Sequence, residues 1–547
     1  MRPLHTLVSR YTPYALSVLG LVITAPLAWF YPSLWLLPLL FGVLTAVGTH
    51  DIFNRHHTIS RNYPIAAHLR YILEGIGPEL RQYFIHSDTE EQPFSREQRA
   101  IVYRRAKNVL DKKPFGSLHA MYEPGYEWMS HSLAPVDDLD PDFRVTIGEN
   151  CKQPYSASVL NISAMSFGAL SANAILALNA GAAKGGFYHD TGEGSISRYH
   201  LQYNGDLVWE IGSGYFGCRN PDGSFSEEAF VRNATRDQVK MIEIKLSQGA
   251  KPGHGGILPG AKVTEEIAEA RGVAIGEDCV SPPSHSAFST PLELMDFIER
   301  LRDLSGGKPV GFKLAIGHPW EWFALVKAML ESHKLPDFIV VDGGEGGTGA
   351  APLEFINRLG MPLSEALLLV HNTLVATNLR EKIKIGAAGK ITTAFYMARV
   401  MALGADWCNA ARGFMFSLGC IQSQNCHNDS CPSGVATQNP YRSRNLDVKD
   451  KSERVYNFHR HTVQALANLI GAAGLRHSDE LGPEHINHRI SRTKAKSYAD
   501  IYHYLEPGEL LEGVPDHPLY REFWETARAD SFAPPEFIRE LRRSKLR

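Results

Sequence analysis

Residues 337–352 read DFIVVDGGEGGTGAAP. The first part is a short apolar run closed by an aspartate; the second is a glycine-rich loop. An apolar run without polar alternation marks a strand covered on both faces. Runs of this kind recur as VLNISAM (159–165), GGFYHD (185–190), MIEIKL (241–246), DCVSPP (278–283), VGFKLAIG (310–317), KIKIGAAG (382–389) and ADWCNAA (405–411). Helix-like segments separate several of them, among them LSANAILALNAGAAKG (170–185), TPLELMDFIERLRDLS (290–305) and TTAFYMARVMALG (392–404). Eight strand-like runs alternating with helices predict an α/β fold, a (β/α)8 TIM barrel over 151–475. An open doubly wound sheet is the structural alternative. The stretch 191–237 is longer than a usual barrel connection and reads as an insert.

Outward from the barrel, the N-terminus is different in kind. YALSVLGLVITAPLAWF (14–30) and YPSLWLLPLLFGVLTAVG (31–48) carry no charge. Each is near the lower limit for a bilayer span. Arg2 and Arg10 precede the first run, and Arg55, Arg61 and Arg70 follow the second. Basic flanks at both ends predict a transmembrane helical hairpin over 1–50, anchored in the inner, cytoplasmic membrane with the barrel facing the cytoplasm. A signal peptide and a buried helical hairpin are the competing readings. Residues 51–150 read as a helical linker region and 476–547 as a helical C-terminal tail. The 547-residue chain has a formal net charge of −3, which gives no electrostatic case for nucleic acid. Cys151, Cys218, Cys279 and Cys408 are scattered and form no disulfide framework, so a reducing compartment is expected.

Working residues of a parallel barrel sit at the carboxyl ends of its strands. Those ends read SAMSFGALS (163–171), DTGEGS (190–195), KLSQGAKPGHGG (245–256), GAAGK (386–390) and AARG (410–413). Glycine runs after the late strands suit phosphate, held by backbone amides, with Lys390 and Arg412 adding charge. No Walker motif and no GxGxxG at a strand-to-helix turn is present, so a mononucleotide such as FMN fits better than NAD. CIQSQNCHNDSCP (420–432) places Cys420, Cys426 and Cys431 within twelve residues. Thiolates are soft ligands suited to iron–sulfur clusters. His427 as a fourth ligand would allow zinc, and unmetallated thiols are a third reading.

SAMSFGALS, TGEG, EIKLSQGAKPG, DGGEGGTGAAP and GCIQSQNCHNDSCPSGVATQ together resemble the FMN-binding synthase domain of glutamate synthase over roughly 100–475. The resemblance implies FMN and a [3Fe–4S] cluster on Cys420, Cys426 and Cys431. It implies reductive amination of 2-oxoglutarate by ammonia, through 2-iminoglutarate, to glutamate, a reaction of the CH–NH2 oxidoreductase class. It places Lys245, Lys251 and Arg271 on the oxo acid's carboxylates, Glu193 at the active-site mouth, and Lys313 near flavin N1. Glu193, Lys251 and Lys313 are the candidate catalytic residues. Ala164, Met165, Ser166, Gly168, Gly346, Gly347, Thr348, Gly389, Lys390, Ala411 and Arg412 would line the flavin. Two positions depart from the family pattern: Ile257 stands where a substrate-binding glutamine is expected, and His254 where an acidic residue is expected. They leave another 2-oxo or imino acid open as substrate. A non-catalytic electron-transfer component is the remaining alternative. The full enzymes carry an N-terminal glutaminase, whereas this chain begins Met1-Arg2 and runs into the apolar segments. Ammonia and electrons are therefore expected from outside, the electrons from ferredoxin, a reductase subunit or a membrane quinol.

Overall fold

The computed structural model describes residues 2–54, 57–89 and 92–545; Arg55, part of the expected basic flank, lies outside them. The chain divides into two compact units, Met1–Arg96 and Glu97–Arg547.

The second unit is built on a closed barrel of eight parallel strands, the TIM barrel read from the sequence. We number them β1 (Leu160–Ile162), β2 (His189–Asp190), β3 (Leu207–Ile211), β4 (Val239–Lys245), β5 (Val310–Leu314), β6 (Phe338–Asp342), β7 (Lys384–Ala388) and β8 (Trp407–Ala410). Closure comes where β8 pairs with β1, Cys408 opposite Leu160 and Ala410 opposite Ile162. Seven of the eight expected runs are barrel strands. The exception is DCVSPP: Cys279 and Val280 instead pair antiparallel with Leu258 and Ile257 outside the barrel. Paired prolines cannot supply amide donors to a central ladder. The third strand is LVWEI, inside the supposed insert, where one glutamate interrupts an otherwise apolar and fully buried run.

The helices obey ordinary end rules. Pro291–Leu304 starts with a capping box, in which the Glu293 amide donates to Thr290 Oγ1 (3.2 Å) and the Thr290 amide donates to the Glu293 carboxylate (3.1 Å). Helix Val448–Ala472 packs on Ala172–Gly185, where Val455 lies so close to Gly181 that an added Cβ would come within 2.4 Å of it. The expected linker is helical only as far as Ala106; strands at Glu127–Met129 and Arg144–Ile147 follow. The C-terminal region is helical, with an added hairpin, Ile486–Ser491 and Lys494–Ser497, that pairs with Glu127–Met129.

The barrel interior changes character along its axis. An apolar layer of Tyr188, Val208, Met241, Phe338, Val340 and Trp407 packs with Ile147, Tyr155 and Ala157 of the short 144–158 hairpin. Gly386 makes room for Trp407, whose ring lies 2.6 Å from where a Cβ would stand. Farther along the strands this layer gives way to charged side chains.

The first unit contains helices Arg2–Phe30 and Leu36–Phe53, joined by a single short turn. Arg10–Phe30 and Pro32–Phe53 are long and apolar enough to cross a membrane, by length and composition. Their polar atoms face each other: Tyr14 Oη lies 3.0 Å from Thr49 Oγ1, and Thr45 Oγ1 donates to Ser17 Oγ at 3.2 Å. Their outer faces carry Leu16, Leu19, Val22, Leu36, Leu39 and Val43, all exposed.

Candidate active site at the carboxyl end of the barrel

Parallel register places Lys313 of β5 beside Lys245 of β4, and Glu243 of β4 beside Glu210 of β3. The Lys313 ammonium turns into the barrel, donates to Glu210 and lies 3.3 Å from Glu243 Oε1. Asp190, Glu210 and Glu243 bring carboxylate oxygens within 4.8 Å of one another, and all three side chains are buried. Burial, with the charges of Asp190 and Asp342, pushes the Glu243 carboxyl well above the ordinary range. Burial likewise raises Asp190 and Asp342, although Asp190 accepts from the Gly192 amide and Asp342 from the Gly249 amide, both at 2.9 Å.

Above this layer a cleft opens between the loops after β2, β3 and β4, lined by Glu193, Lys245, Ser247, Gln248, Lys251 and His254 among others. The Lys245 ammonium is 3.2 Å from Glu193 Oε2. Burial would raise the Glu193 carboxyl, but Lys245, Arg271 and Lys251 together hold it below the usual range. Glu193 rests on Gly256, where an added Cβ would come within 2.2 Å of Oε1 and push the carboxylate from its place. Lys251 is 8% exposed and has no ion-pair partner among the described residues. Burial pulls its ammonium downward in pKa, opposed by Glu193. The amide Nε2 of Gln248 is buried without a hydrogen-bond partner. Arg271 lies behind the cleft, where Nη2 donates to the Phe167 carbonyl (3.1 Å), the guanidinium sits over the Phe216 ring, and Nε is without a partner. His254 lines the cleft; Ile257 is not among its walls and is 49% exposed.

The loops after β6, β7 and β8 meet beside it. Arg412 Nη2 donates to the Thr348 carbonyl at 2.7 Å, and its guanidinium lies against Gly347, 3.0 Å from where a Cβ would stand. Lys390 has positive φ and feels the charge of Glu345, whose carboxylate accepts from the Leu363 amide at 2.9 Å. On the other side, Ser166 Oγ accepts from the Gly194 amide at 3.1 Å, and Gly168 adopts positive φ.

The cysteine loop is braced against this loop after β1. Gln438 Nε2 donates to the carbonyls of Gly168 (2.9 Å) and Leu170 (2.8 Å), and Ser171 Oγ donates to the Gly434 carbonyl (2.8 Å). Lys262 donates to the Cys426 carbonyl at 3.0 Å, and Tyr103 Oη donates to the Cys420 carbonyl at 2.6 Å. Burial pushes the Cys420 thiol up to about 11, and the charges of Cys426 and Cys431 push the same way. Cys431 goes in the other direction. Burial opposes it, but the Ser433 hydroxyl and the amides of Ser433, Val435 and Ala436 hold its thiol below the ordinary range. Electrostatic coupling of Cys420 to both other thiols shows that the loop gathers the three in one neighbourhood.

A family model described as a conserved region in glutamate synthase matches residues 130–476. The glutamate synthase large subunit-like protein YerD of Bacillus subtilis is 41% identical over 480 residues, covering 80% of this chain and 91% of YerD. The chain belongs to the glutamate synthase family. An archaeal glutamate synthase (NADPH) of Methanocaldococcus jannaschii is 34% identical over 321 residues, covering 58% of this chain and 60% of that protein. This glutamate synthase family member thus spans less than two thirds of the archaeal relative. A solved flavocytochrome b2 bound to benzoylformate overlays loosely, with a TM-score of 0.42 and 12% identity over 77% of this chain and 84% of its own.

Within this glutamate synthase family member, the expected substrate residues divide. Glu193, Lys245 and Lys251 meet in one cleft, Arg271 stands behind it, and Lys313 is engaged below it by Glu210 and Glu243. Sequence reading missed Asp190, Glu210, Glu243, Asp342 and Gln248. The available signal was a carboxylate inside the apolar runs LVWEI and MIEIKL, which a buried strand admits only with a partner.

Proposed function

We propose that this glutamate synthase family member is an FMN- and iron–sulfur-dependent oxidoreductase that reductively aminates 2-oxoglutarate to glutamate with external ammonia and an external electron donor. One observation carries the reading: Lys251, buried and without an ion-pair partner among the described residues, shares a cleft with Lys245 and the orphan amide of Gln248. Buried cations and amide donors without partners call for an anion. Glu193, held ionised by its lysine neighbours, is suited to take a proton from the adding ammonia and return it to the hydroxyl that leaves as water.

The loops over 346–348, 389–390 and 411–412 fit a mononucleotide phosphate, with Gly347 kept bare beneath the Arg412 guanidinium. Ala164, Met165, Ser166 and Gly168 would hold the ring system, with the Lys313 layer beneath. FMN, when bound, supplies the hydride that reduces the imine. Three thiols on one short loop, one of them ringed by amides, are soft ligands that suit an iron–sulfur cluster. The residues 14–48 anchor the protein in the cytoplasmic membrane, with the barrel in the cytoplasm. Their polar seam faces inward and their apolar side chains outward, the inverse of a soluble hairpin.

Two outcomes test this. Heat should release FMN and no FAD from purified protein, read by chromatography of the supernatant; FAD there refutes the flavin assignment. With reduced viologen and saturating ammonia, Lys251→Met should raise the KM for 2-oxoglutarate roughly ten- to a hundredfold, the worth of one charge-assisted bond to a buried anion. An unchanged KM removes Lys251 from the substrate site. A second reading, in which another 2-oxo acid is preferred, draws on His254 in the cleft wall. Turnover of other 2-oxo acids well above that of 2-oxoglutarate would favour it.

A further inference from the structure

Helix Ala66–Leu80 continues through one π-helical turn, Arg81–Ile85. Along it Leu69, Ile72, Leu73, Ile76, Leu80 and Phe84 recur at helical spacing, and none is buried. Leu69 is 62% exposed, Ile72 59% and Phe84 82%. Arg70, Glu74, Glu79 and Arg81 occupy the rest of the surface, with Arg70 Nε paired to Glu74 at 2.7 Å. Four charges within these 20 residues oppose spanning a bilayer, whereas one apolar stripe and one charged face suit lying in its surface.

The helix start is also fixed in space. Asp51, buried near the end of the second hairpin helix, accepts from the Ile65 amide (3.0 Å) and contacts His68 Nε2 (2.9 Å). Ile65 packs near Gly48 of the same helix. The stripe therefore begins at the level where the hairpin ends.

We infer that helix 66–85 is an in-plane membrane helix, its Leu69–Ile72–Ile76–Leu80 stripe seated among lipid chains at the cytoplasmic surface. The inference rests on the reading of residues 14–48 as a membrane hairpin. A clamp of this kind would fix how the protein meets the bilayer, beyond merely tethering it.

The test uses the full chain in phosphatidylcholine–phosphatidylglycerol nanodiscs, with photoreactive benzoylphenylalanine placed singly at Leu19, Arg70, Ile72, Glu74 or Ile76. Adducts are identified by mass spectrometry. Lipid adducts at 72 and 76 in several-fold excess over 70 and 74, with strong labelling at 19, are the expected result. Lipid labelling at 19 combined with protein adducts, or none, at 72 and 76 overturns the in-plane helix and leaves the hairpin intact. No lipid labelling at 19 overturns the hairpin and this inference with it.

Discussion

Replacing Lys313 by methionine is expected to destabilise the barrel by about 3–5 kcal/mol, the cost of breaking a buried ion pair from one side. The ammonium is the cation that Glu210 and Glu243 share at the barrel axis. Without it, carboxylates from three adjacent strands face one another with little water to screen them. Chemical denaturation followed by circular dichroism measures the loss. Adding Glu210→Gln to Lys313→Met should recover a large part of it, because the removed cation then leaves one fewer anion behind. Equal stability of the single variant and the parent would mean that Lys313 does not neutralise this layer.

Glu243 supplies a contrast within the same layer. Its carboxyl is raised far above the ordinary glutamate value of about 4.3, so the folded state holds a proton that the unfolded chain releases. The stability from that proton is full below the unfolded value and is lost as pH rises through the folded one. Glu243→Gln fixes the protonated shape, so it should cost little near neutral pH and flatten this decline.

The second large effect concerns the thiols. Cys426→Ser should bring iron and acid-labile sulfide close to zero in anaerobically purified protein while much of the FMN stays bound. The loops assigned to the flavin rise from β6, β7 and β8, and their mutual bonds, such as Arg412 to the Thr348 carbonyl, do not pass through residue 426. Iron and sulfide analysis beside flavin absorbance gives both quantities from one sample. Stoichiometric zinc without iron in the parent protein would overturn the cluster. Loss of flavin together with iron would mean that the cysteine loop builds the flavin pocket, through the Gln438 bonds to Gly168 and Leu170.

The barrel was legible because covered parallel strands leave continuous apolar runs, and seven of them could be read directly. LVWEI was hidden because a glutamate in a five-residue run looks like solvent-facing alternation; its partner, Lys313, is 103 residues away in sequence. DCVSPP misled in the opposite way, since its apolar residues belong to a two-residue ladder outside the barrel. The cleft was legible as a resemblance in motif. The charged layer beneath it was not, because a carboxylate's burial and raised pKa arise only when distant strands close.

The pairing of β8 with β1 also sets a clock. Leu160 waits for Cys408, made about 250 residues later, before its strand has its second neighbour. At roughly 5–20 residues per second, ribosomal synthesis leaves that first strand with an open edge for about 10–50 seconds. For that interval the backbone groups along the outer edge of β1 have no strand to pair with.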